Sequence, residues 1–91
     1  DKAPGYFDQL SKNPQIAKPI RIMSHFACAD DPANPLNQHQ MDIFNQFVQR
    51  ISEKSSSEYS LCNSAGIFQY PAAHYHFVRP GIALYGASPL L

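Results

Sequence analysis

Ile20-Arg21-Ile22-Met23-Ser24-His25-Phe26 is the stretch that decides the fold class. Pro19 stands behind it and Asp30-Asp31-Pro32 lies ahead. Its apolar residues alternate imperfectly, which is the pattern of a strand buried on most sides, with His25 at its C-terminal end. Residues 27–35 hold two prolines, three aspartate or asparagine side chains and no periodicity, so they are expected to form an exposed loop over the strand end. The next segment reads as an amphipathic helix. Asn37 is placed as its N-cap with Gln40 three residues on, and Met41, Phe44, Val48 and Ile51 recur at helical spacing with Phe47 widening the apolar face. Asp42 near its start and Arg50 and Lys54 near its end complement the helix dipole.

Outward from this pair, residues 4–11 carry Tyr6, Phe7 and Leu10 at helical spacing and stop before Asn13-Pro14, which predicts a short helix. Beyond the polar break Ser55-Ser56-Ser57-Glu58, residues 59–63 read as a second strand with Ser64 at its exit. Residues 77–79 read as a third, ended by Pro80-Gly81, and residues 82–86 start a helical turn. Strand, helix, strand, short helical link, strand is the order of a parallel α/β sheet, in which ligands gather beyond the carboxyl ends of the strands. That rule selects His25, Asn63, Ser64, Arg79 and Gly81 for inspection.

Composition narrows the partner. The chain has 91 residues, room for one small domain, with 44% apolar and 15% charged residues and seven basic groups balancing seven acidic ones. The basic groups are scattered from Lys2 to Arg79 without the stripe that a phosphate backbone requires, so nucleic acid is not expected. No apolar run approaches the ~20 residues that cross a bilayer, and residues 1–10 lack the pattern of a signal peptide. A soluble, cytoplasmic protein is expected. An opening Asp-Lys-Ala-Pro-Gly without methionine suggests a piece of something longer. Cys28 and Cys62, 34 positions apart, fit free thiols rather than a disulfide scaffold. His74-x-His76 lacks a third ligand in a defined spacing, so no metal is expected.

The strand-exit residues have a chemical logic of their own. A serine hydroxyl after one strand and a Pro-Gly after the next expose a donor and unpaired amides where the chain turns, an environment that suits a phosphate dianion. Gly81 lets the backbone approach an anion closely, and Arg79 supplies a permanent charge with directed N–H groups. Each residue also has a bland reading. His25 serves equally as a structural histidine, Ser64 as a helix cap, Gly81 as relief for a tight turn, and Arg79 as a partner for some buried acceptor.

Three blocks carry a family resemblance. Ser24-His25-Phe26-Ala27 with Ala29-Asp30, then Asn63-Ser64-Ala65-Gly66, then Val78-Arg79-Pro80-Gly81-Ile82-Ala83-Leu84-Tyr85-Gly86-Ala87-Ser88-Pro89 resemble blocks that occur in this order in bacterial alanine racemases, fold-type III pyridoxal phosphate enzymes. The twelve-residue third block is the most diagnostic. The resemblance implies a partial TIM-type (β/α)8 barrel, with residues 1–91 supplying about its last three strands and the helices between them, as the C-terminal part of the barrel domain.

The same resemblance implies that pyridoxal 5'-phosphate is held with its phosphate at Ser64 and the backbone of Gly81 and Ile82. It places Arg79 at the pyridine nitrogen and His25 beside the ring, orienting that arginine. Asn63 and Tyr85 are candidates for support behind these residues. It further implies a homodimer that interconverts L- and D-alanine for cell-wall precursors. The lysine that carries the cofactor belongs to a block that nothing here matches, and the opposing tyrosine acid/base is expected beyond Leu91. No catalytic residue is therefore expected within the chain, and the isolated chain is expected to be inactive. A non-catalytic pyridoxal phosphate-binding barrel is the alternative.

Overall fold

The structure is a computed structural model and describes residues 2–90. Helix α1 (Ala3–Ser11) carries Pro4 in its first turn, which tolerates a proline because the missing N–H would have no intrahelical partner there. It buries Phe7 alone; Tyr6 and Leu10, expected on the same face, are exposed. Strand β1 (Arg21–Met23) pairs in parallel with β2 (Glu58–Ser60), in register Arg21 to Glu58, Ile22 to Tyr59 and Met23 to Ser60. Flanking bonds from Glu58 N–H to the Ile20 carbonyl and from Ser24 N–H to the Ser60 carbonyl, both 3.1 Å, lengthen the ladder at each end.

The first strand is shorter and more open than its sequence suggested. Arg21 is exposed and Met23 is 65% exposed, because β1 pairs along one edge only among the described residues and α2 covers one face.

Between the two strands runs α2 (Leu36–Ser52), about 25 Å long at 1.5 Å per residue. Its Phe44 and Ile51 are buried, and Met41, Phe47 and Val48 pack partly against the same core, as the helical spacing predicted. Burying each large apolar side chain fully stabilises the fold by on the order of 2 kcal/mol. Tyr59 and Leu61 complete that core from the sheet, and Phe26, Ala29, Cys62, Ala65 and Ala73 fill its far end.

Two expectations about α2 are corrected. The helix begins at Leu36 after Pro35, with no side-chain cap on Pro35, and Asn34 Oδ1 accepts from Leu36 N–H instead. Asn37 lies inside the helix, 1% exposed, because its amide is more useful as a tether: Nδ2 donates to the Cys28 and Asp31 carbonyls at 3.1 and 2.9 Å. Asp42 lies beyond the first turn and accepts from Gln38 Nε2.

After β2 the chain forms α3 (Ser64–Gln69) and two 3-10 turns, Pro71–Ala73 and Ile82–Tyr85. The expected third strand is reduced to a single parallel bridge from Phe77 to Ser60. Its ladder is interrupted for a local reason. The outer N–H of Tyr59 donates to His76 Nδ1 rather than to a backbone carbonyl, and the Tyr59 carbonyl accepts from both His76 and Phe77. The segment still tracks β2, since Arg79 N–H donates to the Cys62 carbonyl at 2.9 Å.

Candidate functional site

A cleft of about 450 Å³ opens beyond the C-terminal ends of β1, β2 and the Phe77 bridge. His25, Asn63, Ser64, Arg79, Gly81 and Ile82 all line it, so the polar set expected at the strand exits is brought together. Tyr85, the last residue of the second 3-10 turn, does not line it and is 86% exposed. Cys28 is half-buried and Cys62 fully buried, both as free thiols.

Each group is placed by local structure. Asn63 sits in an extended conformation and caps α3, its Oδ1 accepting from Gly66 N–H at 3.0 Å. Ser64 therefore begins the helix rather than capping it, which frees its buried hydroxyl for another task. That hydroxyl accepts from the amides of Gly81 at 2.8 Å and Ala83 at 3.2 Å, joining the α3 start to the second 3-10 turn. A serine oxygen accepts at two lone pairs and donates one proton. With both acceptor positions filled, the remaining O–H is a donor. The Ile82 amide lies between the two clamped ones and opens the 3-10 turn, where an amide has no partner within its own helix. A Cβ built on Gly81 would meet Ser64 Oγ at 3.8 Å, so any larger side chain there would enter the space beside the hydroxyl.

Arg79 reaches across the sheet ends. Its Nη1 donates to Ser60 Oγ, and its Nη2 donates to the carbonyls of Ser24 at 2.6 Å and Leu61 at 3.4 Å. Neither ion pair of the described residues involves Arg79, so its charge is uncompensated by a carboxylate. It partly offsets the effect of burial on the neighbouring Cys62 thiol, which burial pushes up.

His25 takes a different partner from the one expected. Its Nε2 lies 3.5 Å from Asn63 Nδ2, whereas the Arg79 hydrogen bonds go to Ser60, Ser24 and Leu61. The reason is positional: β1 ends at Met23, so His25 stands two residues further out, over Asn63.

Sequence reasoning missed three contributors. Ser24 and Ser60 anchor Arg79, and Gln40 binds the backbone around His25, accepting from Ala27 N–H at 3.1 Å and donating to the His25 carbonyl at 3.3 Å. No local pattern marks any of the three, because each acts through a contact distant along the chain. Among the described residues no group of three His, Cys, Asp or Glu side chains is placed to hold a metal ion, and no helix is long and apolar enough to cross a membrane.

Known proteins are similar to this chain in sequence and fold. The chain is 46% identical over 85 residues to an alanine racemase of Shewanella woodyi, covering 93% of this chain and 23% of that protein. Its fold matches the crystal structure of the biosynthetic alanine racemase of Pseudomonas aeruginosa with a TM-score of 0.82 at 36% identity, over 99% of this chain and 24% of that one. It also matches the alanine racemase of Bartonella henselae, solved with covalently bound pyridoxal phosphate, with a TM-score of 0.70 at 35% identity, over 90% and 23% of the two chains. The chain thus spans about a quarter of the length of the relatives it matches. Residues 1–89 match the family of the alanine racemase N-terminal domain, and the chain belongs to that family.

Proposed function

We propose that residues 1–91 are part of a pyridoxal phosphate-dependent alanine racemase and form about the last three strands of its (β/α)8 barrel, the C-terminal part of the barrel domain. In this reading the cleft at the strand exits holds the cofactor. The donor set suits it: a phosphate needs several hydrogen-bond donors, and a ring nitrogen needs one directed N–H. When bound, the cofactor supplies an electron sink for a carbanion at the α-carbon of alanine.

Ser64 donates its free O–H to a phosphate oxygen, and the Ile82 amide and the Gly81 backbone, whose own N–H is held by the Ser64 oxygen, stand around the same group. Gly81 keeps the approach open. Arg79 would turn an N–H toward the ring nitrogen; a guanidinium donates a hydrogen bond without giving up its proton, so the nitrogen it meets would stay unprotonated and withdraw electrons less strongly. Simple return of a proton to the α-carbon is favoured by that restraint. His25 and Asn63 stand beside the ring, His25 held there through Asn63 and the Gln40 contact to its carbonyl. The lysine that carries the cofactor and the tyrosine that faces it belong to other parts of the racemase. For that reason the 91-residue chain alone is expected to turn over no alanine. The reading includes a cytoplasmic homodimer that supplies D-alanine for cell-wall precursors.

The observation that carries the proposal is the Ser64 hydroxyl, buried, with both acceptor positions filled by amides of the opposite turn and its donor left over in a cleft that Arg79 also lines without a carboxylate partner among the described residues. In the full-length protein, Ser64→Ala is expected to weaken retention of pyridoxal phosphate by about tenfold or more, the loss of one charge-assisted hydrogen bond. Dialysis followed by absorbance of the retained cofactor measures it. Retention equal to the unmodified protein would remove the phosphate assignment. Full retention by the unmodified protein with no interconversion of alanine on a chiral column would favour the non-catalytic barrel.

A further inference from the structure

We infer that Ser60 is a positioning residue for Arg79, a neutral anchor that aims the guanidinium at the cleft without spending its charge. The inference rests on the cofactor reading above.

Ser60 is the last residue of β2 and is 7% exposed. Side chains alternate along a strand, and its neighbours Tyr59 and Leu61 both point into the core packed under α2. Ser60 therefore faces the other side of the sheet. A buried hydroxyl without a partner costs free energy, and the guanidinium of Arg79 is the partner that the described residues give this one. The serine is explained by the arginine, not by the sheet.

The geometry of Arg79 makes the converse argument. A guanidinium carries five N–H groups in a fixed plane. Nη2 is occupied by two backbone carbonyls, those of Ser24 and Leu61, which the ladder holds in place. Two acceptors on one nitrogen leave the plane free to rock about that end. The bond from Nη1 to Ser60 Oγ supplies the third point and removes the remaining freedom. What is left over is the Nε–H and one Nη1–H.

A carboxylate in place of the hydroxyl would hold the group as firmly but would neutralise it, weakening its pull on any acceptor in the cleft. A hydroxyl fixes direction and leaves the full charge. Orientation of this kind governs rate more than affinity, because a small misplacement of a reacting group costs far more in the transition state than in the ground state.

The test uses the full-length protein with Ser60→Ala and Ser60→Thr, loaded with pyridoxal phosphate. Ser60→Ala is expected to lower kcat for alanine racemisation roughly tenfold or more while KM stays within about twofold. The absorption spectrum of the bound cofactor and its pH profile are expected to shift in the same direction as in Arg79→Lys. Ser60→Thr keeps the hydroxyl on a β-branched residue suited to a strand and is expected to restore both rate and spectrum.

A readout without cofactor accompanies these. The Arg79 Nε–H resonance of the apoprotein is expected to move and broaden in Ser60→Ala and to recover in Ser60→Thr. If Arg79→Lys alters the spectrum but Ser60→Ala leaves rate, spectrum and resonance unchanged, the inference fails and the cofactor reading stands. If Ser60→Thr behaves like Ser60→Ala, the hydroxyl is not the operative group and the inference fails. If the unmodified protein binds no pyridoxal phosphate, both fall together.

Discussion

Two buried side chains and one half-buried one carry a testable pH signature. Burial raises the Cys62 thiol above its ordinary value of 9.0, and burial raises the Tyr59 and Tyr75 phenols above 10.0. All three are neutral when protonated, so the folded state holds their protons more tightly than the unfolded chain does. Their contribution to stability is complete below the ordinary values and is lost as pH rises through the folded ones. Urea melts are expected to be level from neutrality to about pH 9 and to weaken progressively above it. Stability that is flat into strong alkali would contradict the burial.

Tyr59 offers a sharper version, since its hydroxyl is buried without a hydrogen-bond partner among the described residues. Tyr59→Phe is expected to stabilise the fold by about 1 kcal/mol at neutral pH and to reduce the alkaline loss. Gly66 is the opposite case. A Cβ there would stand 3.0 Å from a ring carbon of Phe26 and 3.2 Å from Cys62 Cβ, both buried, so Gly66→Ala is expected to cost about 1–3 kcal/mol in the same melts. At this scale the site was largely legible. The motif residues His25, Ser64, Arg79, Gly81 and Ile82 reach one cleft. Ser60, Ser24 and Gln40 were not legible, because their partners lie 13 to 55 residues away and a lone serine or glutamine carries no local mark of a distant contact.

The elements obey local chemistry until a tertiary contact outbids it. The apolar face of α2 followed its 3.6-residue period into the core, since burial of that face is the largest energy available to the segment. Its start did not follow the capping pattern. Asn34 already satisfies Leu36 N–H, which releases Asn37 to bind two carbonyls of the preceding loop. That tether fixes residues 27–35, the stretch through which β1 is joined to α2 and on which the wall of the cleft at Ala29 and Asp30 depends. Asn37→Ala removes one donor from each of two part-buried carbonyls, leaving them only the Asp31 and Asn34 amides, and is expected to cost about 1 kcal/mol. Hydrogen exchange should rise first at the loop amides of Asp31 and Asn34, ahead of the helix. Uniform loosening of α2, or none of the loop, would show that the tether is not what orders it. The third strand failed for a comparable reason. Residues 77–79 have strand composition, but the His76 ring occupies the Tyr59 amide, and Tyr75 adopts a positive φ of 49° as its ring packs on Phe44 and Tyr59.

The whole molecule is looser than its length requires. A compact domain of this size has a radius of gyration of about 12 Å, and this chain has 14.5 Å with extents of 43 × 27 × 17 Å. The excess has a visible source. The sheet has two strands with one edge of β1 unpaired among the described residues, and Met23, Ile22, Phe44 and Phe47 line an open apolar groove beside it. Leu84, Tyr85 and Phe68 add apolar surface around the second 3-10 turn. A parallel sheet is stable when helices cover both faces and further strands close its edges. The chain spans about a quarter of its relatives' length, and under the barrel proposal those partners would be the other strands and helices of the barrel. The 91-residue chain by itself is therefore expected to associate through the β1 edge and the groove, with light scattering showing mass that grows with concentration in the micromolar range. Ile22→Lys, which sets a charge in the groove beside that edge, is expected to shift it toward monomer. A monodisperse monomer that unfolds cooperatively would mean that α2 and two short strands close a sufficient core on their own, and the case for a barrel segment would then rest on similarity in sequence and fold without support from the open edge and groove.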